Sequence, residues 1–285
     1  MDVSKRINNN YYQAHPYNFM ATTYLDDGLY SQSLEYYQKA LDIFILQKDT
    51  MRMAHAYNNM ARTFQFKEYY SEAIEYFEKA LLIYKKADDI EGMSLVYNNV
   101  GYILKIQEEY ASALSYFRMA STPQIRKTSP CFINYPIYNI GSVYVKLDKL
   151  DSANLYLNEA LTEAIKCEDS YLIALSRFDL GTLYEKKGDL DGALELYLEA
   201  FEIAENTSLK KELSQFSEAI SKVYEKSNNL EKAIYYLKIN RDIQDSLFNK
   251  GNLQKIARIE AQYEYETLQK EQRIREVERE KELQR

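Results

Sequence analysis

Six asparagine residues recur through the first half of the chain, and their side-chain amides could bind a peptide. An amide both donates and accepts hydrogen bonds, so it can pair with the peptide groups of a ligand whatever side chains that ligand has. A row of such residues favours capture of an extended peptide, although individual members could instead cap neighbouring helices or be solvated. The six residues are Asn18, Asn58, Asn59, Asn98, Asn99 and Asn139.

Basic and aromatic residues are spaced so that they could extend the same site. Tyr102 and Tyr138 each combine an apolar ring with a polar tip, which suits contacts with peptides. Four basic residues could meet acidic groups of a ligand, although isolated charges on helices are commonly only solvated. These are Arg62, Lys105, Lys146 and Lys222.

No motif predicts metal binding or catalysis. His15 and His55 are the only histidines, and no Cys or carboxylate cluster accompanies them to complete a metal site. A pH-sensitive contact is the alternative for this pair. The sequence contains no Gly-rich phosphate loop, no HExxH and no GxSxG. We therefore expect no cofactor, no metal and no enzymatic activity.

A repeat of 40 residues sets the spacing of all these side chains. Each copy has a small residue three positions before a bulky one, and a second small residue twelve positions further on. A fixed period of this kind predicts a stack of identical units, none of which could bury its apolar face alone. The first small positions are Ala21, Ala61, Gly101, Gly141, Gly181 and Ser221, and the second are Ser33, Ala73, Ala113, Ala153, Ala193 and Ala233.

Each unit is predicted to be two antiparallel helices joined by a short turn. In the second unit, apolar residues from Ala54 to about Gln65 recur at spacings of three and four, which lines one helical face. A turn follows at residues 67–70, and Ser71 is the predicted N-cap of the second helix. In the fifth unit, Gly188 suits a left-handed helix C-cap. The glycines at the small positions are assigned to close helix packing.

The chain resembles the tetratricopeptide repeat family over roughly residues 14–243. That family has a bulky, a small and an aromatic residue on the first helix of each unit, then Ala, an aromatic residue and Ala on the second. The resemblance implies a right-handed α-solenoid in which the first helices line a concave, peptide-holding groove. It places the Asn pairs on groove-facing positions. The carboxylate clamp of one subtype is absent, because Asn18, Thr22, Leu95 and Asn99 replace its residues.

Composition limits the remaining possibilities. The chain has 285 residues, a net charge of −7 and a pI near 5.2, which argues against a general nucleic-acid or anionic-membrane surface. Cys131 and Cys167 lie 36 residues apart without metal-ligand spacing, and they leave the compartment open. No stretch approaches the roughly eighteen apolar residues that span a bilayer.

The repeat is interrupted between the third and fourth units. Pro123 and Pro130 should end the preceding helix a turn or two early and leave an open loop, whereas Pro136 can be tolerated in the first turn of the next helix. The segment is either a hinge or partner-contact loop, or a variant connection of the same length.

The repeat also ends near residue 244, and a charged segment follows. Leu253, Ile256, Ile259 and Tyr263 could cover the last unit as a capping helix. The charged helix beyond them has too few apolar heptads for more than a weak coiled coil, and hence a weak homodimer. The predicted divisions are a lead-in over residues 1–13, six units over 14–244, and a cap with a charged helical tail over 245–285.

This tail resembles the arrangement in Bacteroidetes membrane-anchored transcriptional regulators and histidine kinases. The resemblance implies that the chain is the sensory input region of a signalling protein, on the periplasmic face of the inner membrane, with the membrane reached through a missing C-terminal segment. A cytoplasmic scaffold for complex assembly is one alternative. A peptide-responsive regulator that sequesters a response regulator is another. In each case the expected partner is a protein or peptide in the groove, not nucleic acid.

Overall fold

The computed structural model describes the backbone of residues 3–246 and the side chains of residues 14–246. All regular elements in this part are helical, and none of its helices is long and apolar enough to cross a membrane. The predicted cap and charged tail lie outside the described residues. The helices are α1 (Val3–Asp26), α2 (Tyr30–Gln47), α3 (Thr50–Phe66), α4 (Tyr70–Lys86), α5 (Ile90–Ile106), α6 (Tyr110–Ala120), α7 (Pro123–Thr128), a 3-10 turn (Pro130–Ile133), α8 (Asn134–Lys146), α9 (Leu150–Lys166), α10 (Ser170–Lys186), α11 (Leu190–Asn206), α12 (Lys210–Lys226) and α13, which is helical over residues 230–246.

The helices form six antiparallel pairs, and each pair is one 40-residue unit. The first helices are α1, α3, α5, α8, α10 and α12, and the second helices are α2, α4, α6, α9, α11 and α13. Contacts are concentrated between helices that follow one another in the chain. The predicted all-α solenoid of paired helices is thereby confirmed.

Three-residue turns join most helices, and their middle residue has a left-handed backbone. Glu68 has φ 63° and Gly188 has φ 85°, as predicted for Gly188. The amide of Tyr69 donates to the carbonyl of Phe64 at 2.9 Å, which closes the helix end. α4 begins at Tyr70, so the predicted N-cap at Ser71 is wrong: Tyr69 holds the cap position, without a side-chain hydrogen bond.

Aspartates fix the starts of two first helices that bear candidate residues. The Asp49 carboxylate accepts a hydrogen bond from the Arg52 amide at the start of α3, at 3.1 Å. Asp89 does the same for α5 through the Gly92 amide, at 2.9 Å. These caps satisfy amides that have no partner within the helix.

In the interior, small residues on one helix pack against large side chains of the other helix of the unit. A Cβ at Gly101 would lie 2.7 Å from the Phe117 ring, and one at Gly181 would lie 2.7 Å from Tyr197. Phe117 and Tyr197 are almost completely buried. These glycines therefore let the two helices of a unit approach closely, as the sequence predicted.

The segment that interrupts the repeat after the third unit has a different structure from the one predicted. α6 ends early at Ala120, as expected. The expected open loop is wrong, because Pro123 starts the short helix α7. Proline is tolerated there because an N–H at the first helical position has no acceptor within the helix. Ile125 and Ile133 are buried, and Pro136 lies in the first turn of α8 as predicted. The prolines predicted an open loop, but two buried isoleucines hold the segment against the rest of the protein.

A disulfide also ties this segment to the fourth unit. Cys131 of the 3-10 turn is bonded to Cys167, the C-cap residue of α9. Arg126 of α7 adds an ion pair to Glu159 of α9 at 2.6 Å. The interruption is therefore held by one covalent bond and by contacts that the regular units lack.

Candidate functional site

The first helices of the central units adjoin one another and form a continuous surface. α3 contacts α5, α5 contacts α8, and α8 contacts α10. We call the surface on α3, α5, α8 and α10 the first-helix face. Most of the sequence-predicted site residues lie on these four helices.

A chain of hydrogen bonds crosses the first-helix face at its centre. The Asn139 amide on α8 donates to the Asn98 side-chain oxygen on α5 at 3.1 Å. The Lys105 ammonium on α5 donates to the Asn139 side-chain oxygen at 2.7 Å. Two units are therefore joined through neutral amides, and Asn139 is 4% exposed.

Lys105 lies in a recessed position with little compensation for its charge. Its ammonium lies 4.9 Å from the centre of the Tyr102 ring and 5.9 Å from that of Tyr138. Burial lowers the pKa of Lys105 to about 8, and the like charge of Lys146 acts in the same direction. The carboxylate of Asp179 opposes this shift. The structure thus brings Lys105, Tyr102, Tyr138 and Lys146 together, as the peptide-site hypothesis requires.

Asp179 on α10 is a member of this site that the sequence analysis missed. Burial raises the pKa of its carboxyl group, against the opposing effects of Lys105 and of hydrogen bonds from Tyr138 and Ser142. One of its oxygens, Oδ2, is buried without a hydrogen-bond partner among the described residues. The signal was present in the sequence, because Asp179 lies 40 residues after Asn139, at the position that holds Asn in three earlier units.

Other Asn residues of the first-helix face also have unpartnered atoms. Asn58 is 4% exposed, and its side-chain oxygen has no partner in the described part of the chain. Its amide lies 3.5 Å from the Asn59 oxygen, at the limit of a hydrogen bond. The Asn99 side-chain nitrogen is likewise buried without a partner among these residues. A ligand with its own donors and acceptors could satisfy these groups.

Tyrosines continue the site towards the fifth and sixth units. The Tyr171 hydroxyl donates to Glu212 at 3.2 Å, and burial raises the pKa of Tyr171 to about 12 with help from Glu212. Burial also raises the pKa of Tyr135, next to Asp169. Both hydroxyls therefore stay protonated at neutral pH and act as hydrogen-bond donors.

The remaining candidates lie apart from this centre. Asn18 on α1 is half-buried, and its backbone oxygen accepts from Thr22. Arg62 on α3 is exposed. Lys222 pairs with Glu218 on its own helix, and is a solvated surface charge. His55 forms a 3.0 Å hydrogen bond with the Tyr84 hydroxyl, and no group of three or more metal-binding side chains occurs in the described part.

The comparisons with known proteins concern the repeat and the fold. A family model described as Tetratricopeptide repeat matches residues 12–86, 52–122 and 135–206. Comparison with curated protein sequences gives no match.

Several solved structures have a similar fold at low sequence identity. Aspartyl phosphate phosphatase F from Bacillus subtilis is 20% identical, with a TM-score of 0.65, over 81% of this chain and 60% of that one. The Rap conjugation gene regulator of plasmid pLS20, solved in complex with the Phr* peptide, is 19% identical, with a TM-score of 0.65, over 83% and 63%. The apo quorum sensor NprR from B. thuringiensis is 18% identical, with a TM-score of 0.67, over 81% and 65%.

This chain therefore covers less than two thirds of the length of each of these three proteins. At such identities the likeness concerns the fold alone. The family model, in contrast, matches more than half of the chain at the sequence level. On this match and on the paired helices of the stack, the chain belongs to the tetratricopeptide repeat family.

Proposed function

We propose that this chain is a binding module, not an enzyme, that holds an extended peptide on its first-helix face. The observation that supports this most directly is the chain from Lys105 through Asn139 to Asn98, beside buried polar atoms of Asn99 and Asp179 that have no partner among the described residues. Buried polar groups without partners cost free energy, and a peptide backbone offers both the donors and the acceptors they need.

The fold neighbours add support of a general kind. One of them, the plasmid pLS20 regulator, was solved with a bound peptide. A stack of helices with a continuous inner face is also a suitable surface for a linear ligand, because successive units can contact successive residues.

The test is capture of peptides from an unbiased synthetic pool of eight-residue peptides on the immobilised protein. The double variant Asn98→Ala, Asn139→Ala removes the amides that bridge α5 and α8. We expect it to retain about tenfold less peptide than the wild type, the effect of losing two ordinary hydrogen bonds. The matched control is Asn154→Ala, Asn158→Ala on the second helix α9, where the two amides bond to each other.

The control variant should retain peptide at the wild-type level. Thermal melting of all three proteins separates a binding defect from a folding defect. Equal peptide retention by wild type and the Asn98, Asn139 variant would refute the proposed site.

We further propose that the module is the sensory input of a longer signalling protein, as its resemblance to membrane-anchored regulators implies. The Cys131–Cys167 disulfide supports a location in an oxidising compartment such as the periplasm. The gene sequence beyond the codon for Arg285 tests the first part, and we expect a membrane-spanning segment followed by a DNA-binding or kinase domain. A stop codon directly after Arg285 would reject it.

A further inference from the structure

The lysines of the first helices differ in whether a carboxylate neutralises them. Lys186 pairs with Asp148, and Lys226 pairs with Glu185 at 2.6 Å. Lys105 and Lys146 form no ion pair with any described residue. Two neighbouring cations on the first-helix face therefore remain without an ion-pair partner in a chain whose net charge is −7.

The one carboxylate that acts on both lysines does not satisfy them. Asp179 attracts Lys105 and Lys146, but its carboxylate is too far from either ammonium to form an ion pair. The Lys105 ammonium donates to a neutral amide instead, that of Asn139. An ammonium has three donor hydrogens, so Lys105 can still donate to a ligand. The site is complementary to a negatively charged group.

The surface beside the two lysines is apolar on one side. Five residues after the small position of each first helix stand Phe66 on α3, Ile106 on α5 and then Lys146 on α8. Phe66 is 53% exposed and Ile106 is 44% exposed, and Tyr102 lies one helical turn before Ile106. At this position the first-helix face thus changes from apolar on α3 and α5 to basic on α8.

We propose that the peptide bound on the first-helix face presents a carboxylate to Lys105 and Lys146 and apolar side chains to Phe66, Tyr102 and Ile106. This inference rests on the proposed peptide-binding function and specifies its ligand. The carboxylate is that of an Asp or Glu side chain or of the peptide C-terminus. Both sources present the same group, and the experiment distinguishes them.

The experiment uses pools of eight-residue peptides whose random positions exclude Asp and Glu, with a fixed central Glu, Gln or Lys, and each pool is made with a free and with an amidated C-terminus. Retention on the immobilised wild-type protein is measured by mass spectrometry. We expect a pool with a carboxylate to be retained about tenfold or more above the amidated Gln pool, the effect of one charge-assisted hydrogen bond. Retention of the amidated Glu pool identifies a side-chain carboxylate, whereas a requirement for the free C-terminus identifies the terminal one.

Variants assign the preference to the two lysines. Lys146→Met changes an exposed residue, so the fold should tolerate it, and Lys105→Met removes the recessed cation. Each should reduce the preference for a carboxylate. Lys186→Met is the matched control, because this lysine is already ion-paired, and it should leave the preference unchanged.

The possible failures are distinct. Peptide retention without any preference for the carboxylate, or a preference that survives both Lys105→Met and Lys146→Met, overturns the inference and leaves the proposed function standing. Retention of no pool at all overturns the proposed function as well.

Discussion

Two positions on the same first helices, only two residues apart, behave in opposite ways. At the small position, Gly101, Gly141 and Gly181 each face a fully buried large side chain at 2.7–2.8 Å from an added Cβ. Two residues earlier, Asn139 bonds to Asn98, Asn99 has a buried nitrogen without a partner among the described residues, and Asp179 is a carboxylate that interacts with Lys105. The interior repeats because every unit must pack against the same kind of neighbour. The first-helix face varies because it packs against nothing that repeats.

The comparison separates stability from binding, and one pair of phenylalanines tests this with the largest expected effect. Phe117→Ala empties a fully buried site in the third unit. We expect it to lower the free energy of unfolding by about 3–5 kcal/mol, as for large-to-small changes in other cores. Urea denaturation measures the change.

Phe66→Ala is the matched control on the first-helix face, where the ring is 53% exposed. This variant should change the free energy of unfolding by less than about 0.5 kcal/mol. It should instead reduce retention of the peptide pools. An equal loss of stability in the two variants would show that the first-helix face contributes to stability as much as the buried interior does.

The interruption after the third unit offers a second test, since its packing does not follow the repeat. The disulfide joins residues separated by 36 positions, and closing a loop of this size stabilises a fold by about 2–4 kcal/mol. We expect the oxidised protein to be more stable than the reduced protein by about this amount in urea denaturation.

The control for that test is Cys131→Ser, whose stability should not respond to a reductant. Alkylation of thiols in intact cells, followed by a gel shift, tests whether the disulfide forms there. Identical denaturation of the oxidised and reduced wild type would mean that Ile125, Ile133 and their neighbours hold the segment without the covalent bond.

The last expected effect concerns the charge of Lys105. Its pKa is lowered from 10.5 to about 8 in the folded protein, so the unfolded chain binds this proton more tightly. The charged lysine therefore destabilises the fold below pH 8, and this cost is relieved as the pH rises from about 8 to 10.5. The difference in stability between wild type and Lys105→Met should shift in favour of the wild type over this window.

Taking the difference removes the contributions of the titratable groups that both proteins share, including the tyrosines. Asp179 and Lys146 face Lys105 and are present in both. A difference that stays flat from pH 7 to pH 10 would mean that water screens Lys105 on the first-helix face as it would on an open surface.

The same comparison explains what the sequence could predict. The small and bulky positions were predictable because each packing contact occurs in several units, and every repetition strengthens the pattern. The candidate residues of the first-helix face came from the recurring Asn and from the basic and aromatic residues spaced near them. Asp179 was missed because its position holds Asn in the second, third and fourth units, and its role depends on Lys105 and Tyr138 from other units.

The interruption shows a different limit. Prolines at 123 and 130 are compatible both with an open loop and with the starts of two short helical segments, and only burial of Ile125 and Ile133 decides between them. The pairing of Cys131 with Cys167 is a property of the folded arrangement, since their separation of 36 residues matches no motif. Ser71 failed as a cap because the left-handed turn before it fixes the helix start.

The turns also affect how the number of repeat units can change during evolution. Their left-handed residue is an ordinary one at Lys48, Glu68, Asp88, Glu108, Asp148, Glu168, Ser208 and Asn228, and glycine at only two described positions. The turn thus needs a defined length but no particular amino acid. If a 40-residue unit were duplicated or deleted at such a turn, the units on either side would be joined by the same kind of turn. The number of units, and with it the length of ligand that the face can span, is therefore open to change by duplication without redesign of any turn.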